Sequence, residues 1–325
     1  MFGFSKQRVY PIGVDLGTKY LRMAQLGMNA QGPFLVSAGL RTKPETLEPH
    51  SPAWQHWAID AIKELLHEAT FKGKDVITAL PSNDLFIDPI KVPRSTLDRL
   101  SETALPKVQK RIPFAVENAI VQYVVIEQPD VKGPEADVLV IATERETVNR
   151  YLAIYENAGL NIAGISIWPE AMIQSYSSFF CRRQNEQKRI AVLLDMGTHH
   201  TNVVICRGRN LLFARVISIG NVQLAEGSMC QRLMAEIDAC IRYFENSTLP
   251  GTGAIERMVF LAGSGTQPEL CQKIAELAQQ MQIGAQIGDV LSAVEINHGP
   301  ACMIDRRNSQ IDWATAFGLS LNSPK

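Results

Sequence analysis

The sequence predicts an α/β chain of two lobes with a subdomain inserted in the first, and three observations carry that reading. The segment Ile12-Gly13-Val14-Asp15-Leu16-Gly17-Thr18 returns in changed form as Ala191-Val192-Leu193-Leu194-Asp195-Met196-Gly197-Thr198, with the two aspartates 180 residues apart. The chain has 325 residues, too many for one small core. Between the two copies the character of the sequence changes, at Pro81-Ser82-Asn83 and again at Gly164-Ile165. The predicted boundaries are 1–83 for the first lobe, 84–165 for the inserted subdomain and 166–325 for the second lobe.

The first lobe begins with a hairpin over 9–26, folded at the Asp-Leu-Gly-Thr turn, and a third strand at 34–40. A proline-rich loop follows. Trp54, Trp57, Ala58, Ala61, Ile62, Leu65 and Leu66 then recur at helical spacing, and Asp75 to Pro81 reads as a buried strand closed by proline. This β-β-β-α-β order is half of a layered α/β structure. The inserted part carries strands at Phe86–Val92 and Val138–Thr143 around a charged helix, Ser95 to Arg111, with a solvated turn at 129–135. Residues 146–158 are helical, with Gly159 placed to end that helix.

In the second lobe a helix over 170–180 leads to the second hairpin at 190–206 and a strand at 213–219. A long helix is expected over 221–245, with Leu224, Met229, Leu233, Ile237, Ile241 and Phe244 on its apolar face; that stripe is core. Met258 to Ala262 is a buried strand opening into the turn Gly263-Ser264-Gly265. A helix over 268–281 follows, and an apolar helix over 314–321 ends the pattern by returning to the first lobe.

Composition narrows the function. The net charge of −1 and a pI of about 6.6 lack the basic face that nucleic acid requires. No window approaches ~18 consecutive apolar residues, so no membrane helix is expected, and the first eight residues lack the apolar centre of a signal peptide. The six cysteines are scattered, none in a Cys-x-x-Cys pair, as expected of thiols in a reducing, cytoplasmic setting.

The repeat supplies the chemistry. A strand–turn–strand with Gly and Thr offers backbone N–H donors to a phosphate chain, and a strand-end Asp can hold Mg²⁺ directly or through water. One such hairpin says little, since turns use Asp and Gly for backbone reasons. Two, with the same residue order, could clamp a nucleotide from both sides. Asp15 and Asp195 are therefore candidate metal-linked carboxylates. Thr18 and Thr198 read equally as β-formers or phosphate donors. Lys19 lies near phosphate if the hairpin reading holds, and is otherwise a solvated charge. His199 and His200 point to opposite faces of an extended segment and cannot readily share a metal.

The two Asp-(apolar)-Gly-Thr hairpins and the later Ala-Gly-Ser-Gly turn resemble the phosphate-one, phosphate-two and adenosine motifs of the actin-like ATPase superfamily. The finer resemblance is to the PilM family of type IV pilus assembly and covers nearly the whole chain. Gly13 to Arg22 is similar to its first motif, with Arg22 where a Lys is usual. Ala79-Leu80-Pro81-Ser82 and Ile112-Pro113-Phe114 with Glu117 resemble its markers around the inserted subdomain. Glu236-Ile237-Asp238 with Arg242-Tyr243-Phe244 resembles its helix beside the nucleotide, and Ala316-Phe317-Gly318-Leu319 its C-terminal helix. The family usually has three glycines where this chain has Gly263-Ser264-Gly265.

The resemblance implies an actin-like/ribonuclease H-like two-lobed fold with an inserted subdomain of FtsA type. It implies ATP and Mg²⁺ as cofactors, with slow hydrolysis at most. It carries nucleotide contacts onto Asp15, Gly17, Thr18, Lys19, Asp195, Gly197, Thr198, His199, Thr201, Glu236, Gly263, Ser264 and Gly265. The implied partner is the N-terminal cytoplasmic peptide of a PilN-like inner-membrane protein, which would make this chain a cytoplasmic protein peripheral to that membrane. Three other readings stay open: a small-molecule kinase of the same superfamily, a GspL-like secretion component, and a scaffold that binds no nucleotide. No Asp between Pro81 and Asp137 sits in a motif suited to a kinase's general base.

Overall fold

The computed structural model describes residues 8–126, 133–181, 183–225, 228–247, 253–262, 268–296 and 311–322. The chain opens with an antiparallel meander of β1 (Arg8–Leu16), β2 (Tyr20–Asn29) and β3 (Gly32–Thr42). Helix α1 (Pro52–Glu68) starts where Ser51 caps it: the Trp54 N–H donates to the Ser51 hydroxyl at 3.1 Å, and Pro52 suits the first turn. Its buried face is Trp54, Ala58, Ala61, Ile62 and Leu65. Strand β4 (Asp75–Leu80) then runs parallel to β1.

Here the chain leaves the sheet. Strand β5 (Phe86–Pro93), helices α2 (Leu100–Thr103) and α3 (Leu105–Val108), and strands β6 (Ala119–Val125) and β7 (Glu135–Glu144) build a three-stranded antiparallel sheet in the order β5-β7-β6. The charged helix expected over 95–111 is instead a 3₁₀ turn and two single-turn helices. Pro106 explains the break, since it lacks an N–H and restricts the residue before it. The chain returns through α4 (Arg145–Asn157), closed by Gly159 at φ 80°, and β8 (Asn161–Ile167), parallel to β4. The range 84–165 thus also holds α4, which packs on α1, and nearly all of β8, which extends the first sheet.

Helix α5 (Trp168–Phe179) leads to a second meander of β9 (Ile190–Met196), β10 (Thr201–Arg207) and β11 (Asn210–Ile217). There follow α6 (Met229–Ser247), β12 (Ile255–Leu261), α7 (Pro268–Gln280), β13 (Gly284–Ile287), α8 (Val290–Ala293), β14 (Glu295–Ile296) and α9 (Ala314–Leu321). The helix expected from residue 221 begins only at 229. Residues 221 and 222 are held elsewhere, their N–H groups donating to the carbonyls of Gly197 and Thr198, each at 3.0 Å.

The two large sheets share one plan. In β14-β3-β2-β1-β4-β8 and β11-β10-β9-β12-β13, an antiparallel meander continues into parallel strands reached by helical crossovers. Their inner faces meet in a core that also takes α5, α9 and part of the three-stranded sheet, through Leu139 and Ile141. The outer faces are covered by α1 and α4 on one sheet and by α6 and α7 on the other. Helix α9 lies so close to its neighbours that two glycines are required. A Cβ on Gly13 would stand 2.1 Å from the Ala316 carbonyl oxygen, and one on Gly318 would stand 1.8 Å from that of Ala171.

Two irregularities in the first sheet are satisfied from this helix and from within the sheet. The β1–β2 register shifts between Val9 and Ile12, and the β2–β3 register between Gln25 and Leu26. Buried Ser320 donates its hydroxyl to the Pro11 carbonyl at 2.8 Å and accepts the Leu26 N–H at 2.9 Å. Buried Gln25 donates to the Tyr10 carbonyl at 2.9 Å.

Candidate functional site: a cleft between matching hairpins

A cleft of about 370 Å³ opens between the two large sheets, walled by the β1–β2 turn, the β9–β10 turn, residues 79–83, the end of β12 and the start of α9. The two turns are built alike. Gly17 donates its N–H to the Tyr20 carbonyl at 2.9 Å, and Gly197 donates to the His200 carbonyl at 2.8 Å. In register, Asp15 faces Arg22 and Asp195 faces Asn202. Arg22 forms an ion pair with Asp15, whereas the Asn202 amide donates to Asp195 at 2.9 Å.

Gly220 holds the second turn against the chain after β11. A Cβ there would stand 2.4 Å from the His200 nitrogen and 2.7 Å from the Gly197 oxygen, so only glycine lets the segments approach. Thr201 faces away from the cleft: it is buried, and its hydroxyl donates to the Ile219 carbonyl at 2.7 Å.

Of the residues singled out from sequence, Asp15, Gly17, Thr18, Lys19, Asp195, Gly197 and Thr198 line this one cleft. His199 does not. It is exposed at the tip of the turn, and His200 lines the cleft in its place, because the turn rather than strand alternation decides which imidazole faces inward. Glu236 lies on α6 and is not among the described residues lining the cleft. Gly263, Ser264 and Gly265 lie outside the described residues.

Sequence reasoning missed Asp312, which projects into the cleft from just ahead of α9 and accepts the Ala314 N–H at 2.9 Å. Its carboxyl is held well above the ordinary value, first by burial and then by Asp195; Arg22 and the Ala314 N–H work the other way. Burial likewise raises Asp15, aided by Asp195 and opposed by Arg22. Burial works against the charge on Arg22, but Asp15, Asp312 and Asp195 together keep its guanidinium firmly protonated. Three carboxyls and one fixed guanidinium therefore share a poorly solvated space. Among the described residues, no three His, Cys, Asp or Glu side chains are arranged to hold a metal ion. The donor set suits a hard cation that keeps waters and takes further oxygens from a ligand, rather than a closed protein cage.

Hairpins of this build, facing each other across a cleft between two sheets of one plan, define a protein of the actin-like ATPase fold. The chain is similar along 97% of its length to a chain of a PilM–PilN type IV pilus biogenesis complex, covering 98% of that chain, at TM-score 0.73 and 22% identity. A family model described as type IV pilus assembly protein PilM matches residues 13–231, more than half of the sequence, and the chain belongs to that family. More distant similarity extends to the cytoplasmic domain of EpsL, an inner membrane component of the type II secretion system of Vibrio cholerae (TM-score 0.48, 12% identity, 96% of this chain and 93% of that one). It extends also to the ethanolamine utilization protein EutJ of Carboxydothermus hydrogenoformans (TM-score 0.47, 11% identity, 96% and 89%). Among curated proteins none matches it. No helix of the described residues is long and apolar enough to cross a membrane.

Proposed function

We propose that this pilus assembly protein binds ATP with Mg²⁺ between its two hairpins and uses the bound nucleotide to set the arrangement of its lobes. The observation that supports this best is the meeting of Asp15, Asp195 and Asp312 with Arg22 in one cleft beside two glycine turns. The turns carry N–H groups and hydroxyls suited to phosphate oxygens. Asp195 is the carboxylate best placed to serve a cation, since Asp15 is engaged by Arg22. Mg²⁺, when bound, would neutralise the phosphate charge. Arg22 supplies a second, permanent neutralising group. We assign no general base among the described residues of the cleft; on this reading the nucleotide acts chiefly as a structural ligand, with slow hydrolysis at most.

The partner is the N-terminal cytoplasmic peptide of a PilN-like inner-membrane protein, docking on residues 84–165. That range joins the first sheet at β4 and again at β8, so a change in lobe arrangement reaches it from both ends. Docking by this peptide would recruit the protein to the inner membrane.

Calorimetry tests the nucleotide. Asp195→Ala should abolish the Mg²⁺-dependent part of ATP affinity, and wild-type affinity in the variant would displace the site. Hydrogen exchange tests the partner: adding the peptide should protect residues 84–165, and protection confined to 221–281 would refute this docking surface.

A further inference from the structure

The two hairpins match strand for strand, yet they bring different groups to the cleft. The equivalent turn bonds of Gly17 and Gly197 give Tyr20 and His200 the same position. Two residues on, Arg22 is matched by Asn202. The first hairpin therefore carries a permanent cation, the Arg22 guanidinium, 5.5 Å from the centre of the Tyr20 ring. The second carries an amide and an imidazole. The His200 ring folds against its own turn, with Nε2 3.5 Å from where a Cβ on Gly197 would stand. The charged or titratable groups facing it are Asp195 from β9, Asp84 from the turn after β4, and His199 beside it. Burial lowers the His200 imidazole from its ordinary value, against the pull of Asp195, which favours the neutral ring.

We propose that His200 is the proton-responsive phosphate contact of this cleft, completing the second hairpin as a cation when an anionic ligand binds. The inference rests on the nucleotide reading above and assigns a regulation to that same site. A phosphate beside the ring favours its charged form, so binding takes up a proton. Affinity then rises as pH falls through the value of the bound state, and levels off below that of the free state. A rise of about one unit on binding corresponds to a limit of about tenfold in affinity.

The experiment titrates ADP into the full chain by calorimetry at about pH 8, about 7 and about 6, spanning the imidazole range. Wild type, His200→Gln and His199→Gln are compared at each pH, so that protonation of ADP itself cancels. Wild-type affinity relative to His200→Gln should rise about three- to tenfold from the alkaline to the acid end, and His199→Gln should track wild type. A His200→Gln protein that keeps the wild-type pH profile, or a His199→Gln protein that loses it, overturns the inference. If His200→Gln does not fold, imidazole resonances of the wild type decide. One that titrates higher with ADP than without supports the inference, and none doing so overturns it. Binding that is flat with pH overturns this inference alone, whereas no ADP binding by folded wild type at any pH overturns the nucleotide reading together with it.

Discussion

Ser320→Ala removes one hydroxyl that serves two bulged strands at once. Ser320 is fully buried, donates to the Pro11 carbonyl at 2.8 Å and accepts the Leu26 N–H at 2.9 Å. Both strand partners sit where the ladder shifts register, so no neighbouring strand is aligned to replace the lost bonds. A buried polar group left without a partner costs about 1–3 kcal/mol. The N–H has a single bond to lose and should fall within that range, whereas the carbonyl, with a second lone pair, should fall near its lower end. The sum is about 2–4 kcal/mol, a large share of the ~5–15 kcal/mol that holds a typical domain together. Urea unfolding followed by circular dichroism should show a lower midpoint with an unchanged slope. A loss below about 0.5 kcal/mol, the scatter of ordinary surface changes, would refute the reasoning by showing that water or the bulges satisfy those groups.

Other expectations concern the cleft. Asp312 has its native carboxyl raised by burial and by Asp195. The folded state therefore keeps a proton that the unfolded chain has lost, and stability falls as pH rises from the unfolded value, about 4, through the native one. Asp312→Asn should melt higher than wild type at neutral pH, with the gap closing on acidification; a variant no more stable at neutral pH would count against the crowding of carboxyls described above. Gly220→Val would drive a side chain into the His200 nitrogen and the Gly197 oxygen. It should cost about 1–3 kcal/mol in a melting experiment and weaken ADP binding more than a destabilised but correctly shaped cleft would. Full affinity in that variant would mean that the second turn does not shape the site.

The hairpins were legible because their information is local. Asp15-Leu16-Gly17-Thr18 and Asp195-Met196-Gly197-Thr198 specify strand end and turn within four residues, and both turns form as the repeat implies. Their cross-strand partners come from the structure: Arg22 and Asn202 each stand seven residues beyond their aspartates, a spacing that is informative only when the two copies are aligned. Alternation along a strand puts His199 and His200 on opposite sides without saying which side is the cleft; the turn geometry settles it. Pro106 lies inside the stretch expected as one helix and breaks it, a local signal that the charges around it do not override. Asp312 was out of reach. Locally it is an aspartate two residues ahead of a helix, bonded to the Ala314 N–H, and only the packing of α9 against β1, which is distant in sequence, carries it to the other two carboxyls.

That packing also bears on how the molecule is made. The bonds from Ser320 to Leu26 and Pro11 join residues 294 and 309 positions apart. On a ribosome adding about 5–20 residues per second, β1 and β2 must wait between roughly a quarter of a minute and a minute for the segment that covers them. Throughout that interval the groove opposite Gly13 is open to water, and the Pro11 carbonyl and the Leu26 N–H are without their Ser320 partner. The nascent first sheet is then a surface that a chaperone, or another unfinished copy, can occupy. Slowing translation near its end should raise the yield of aggregated or protease-sensitive product, and supplying the α9 segment as a separate peptide should lower it.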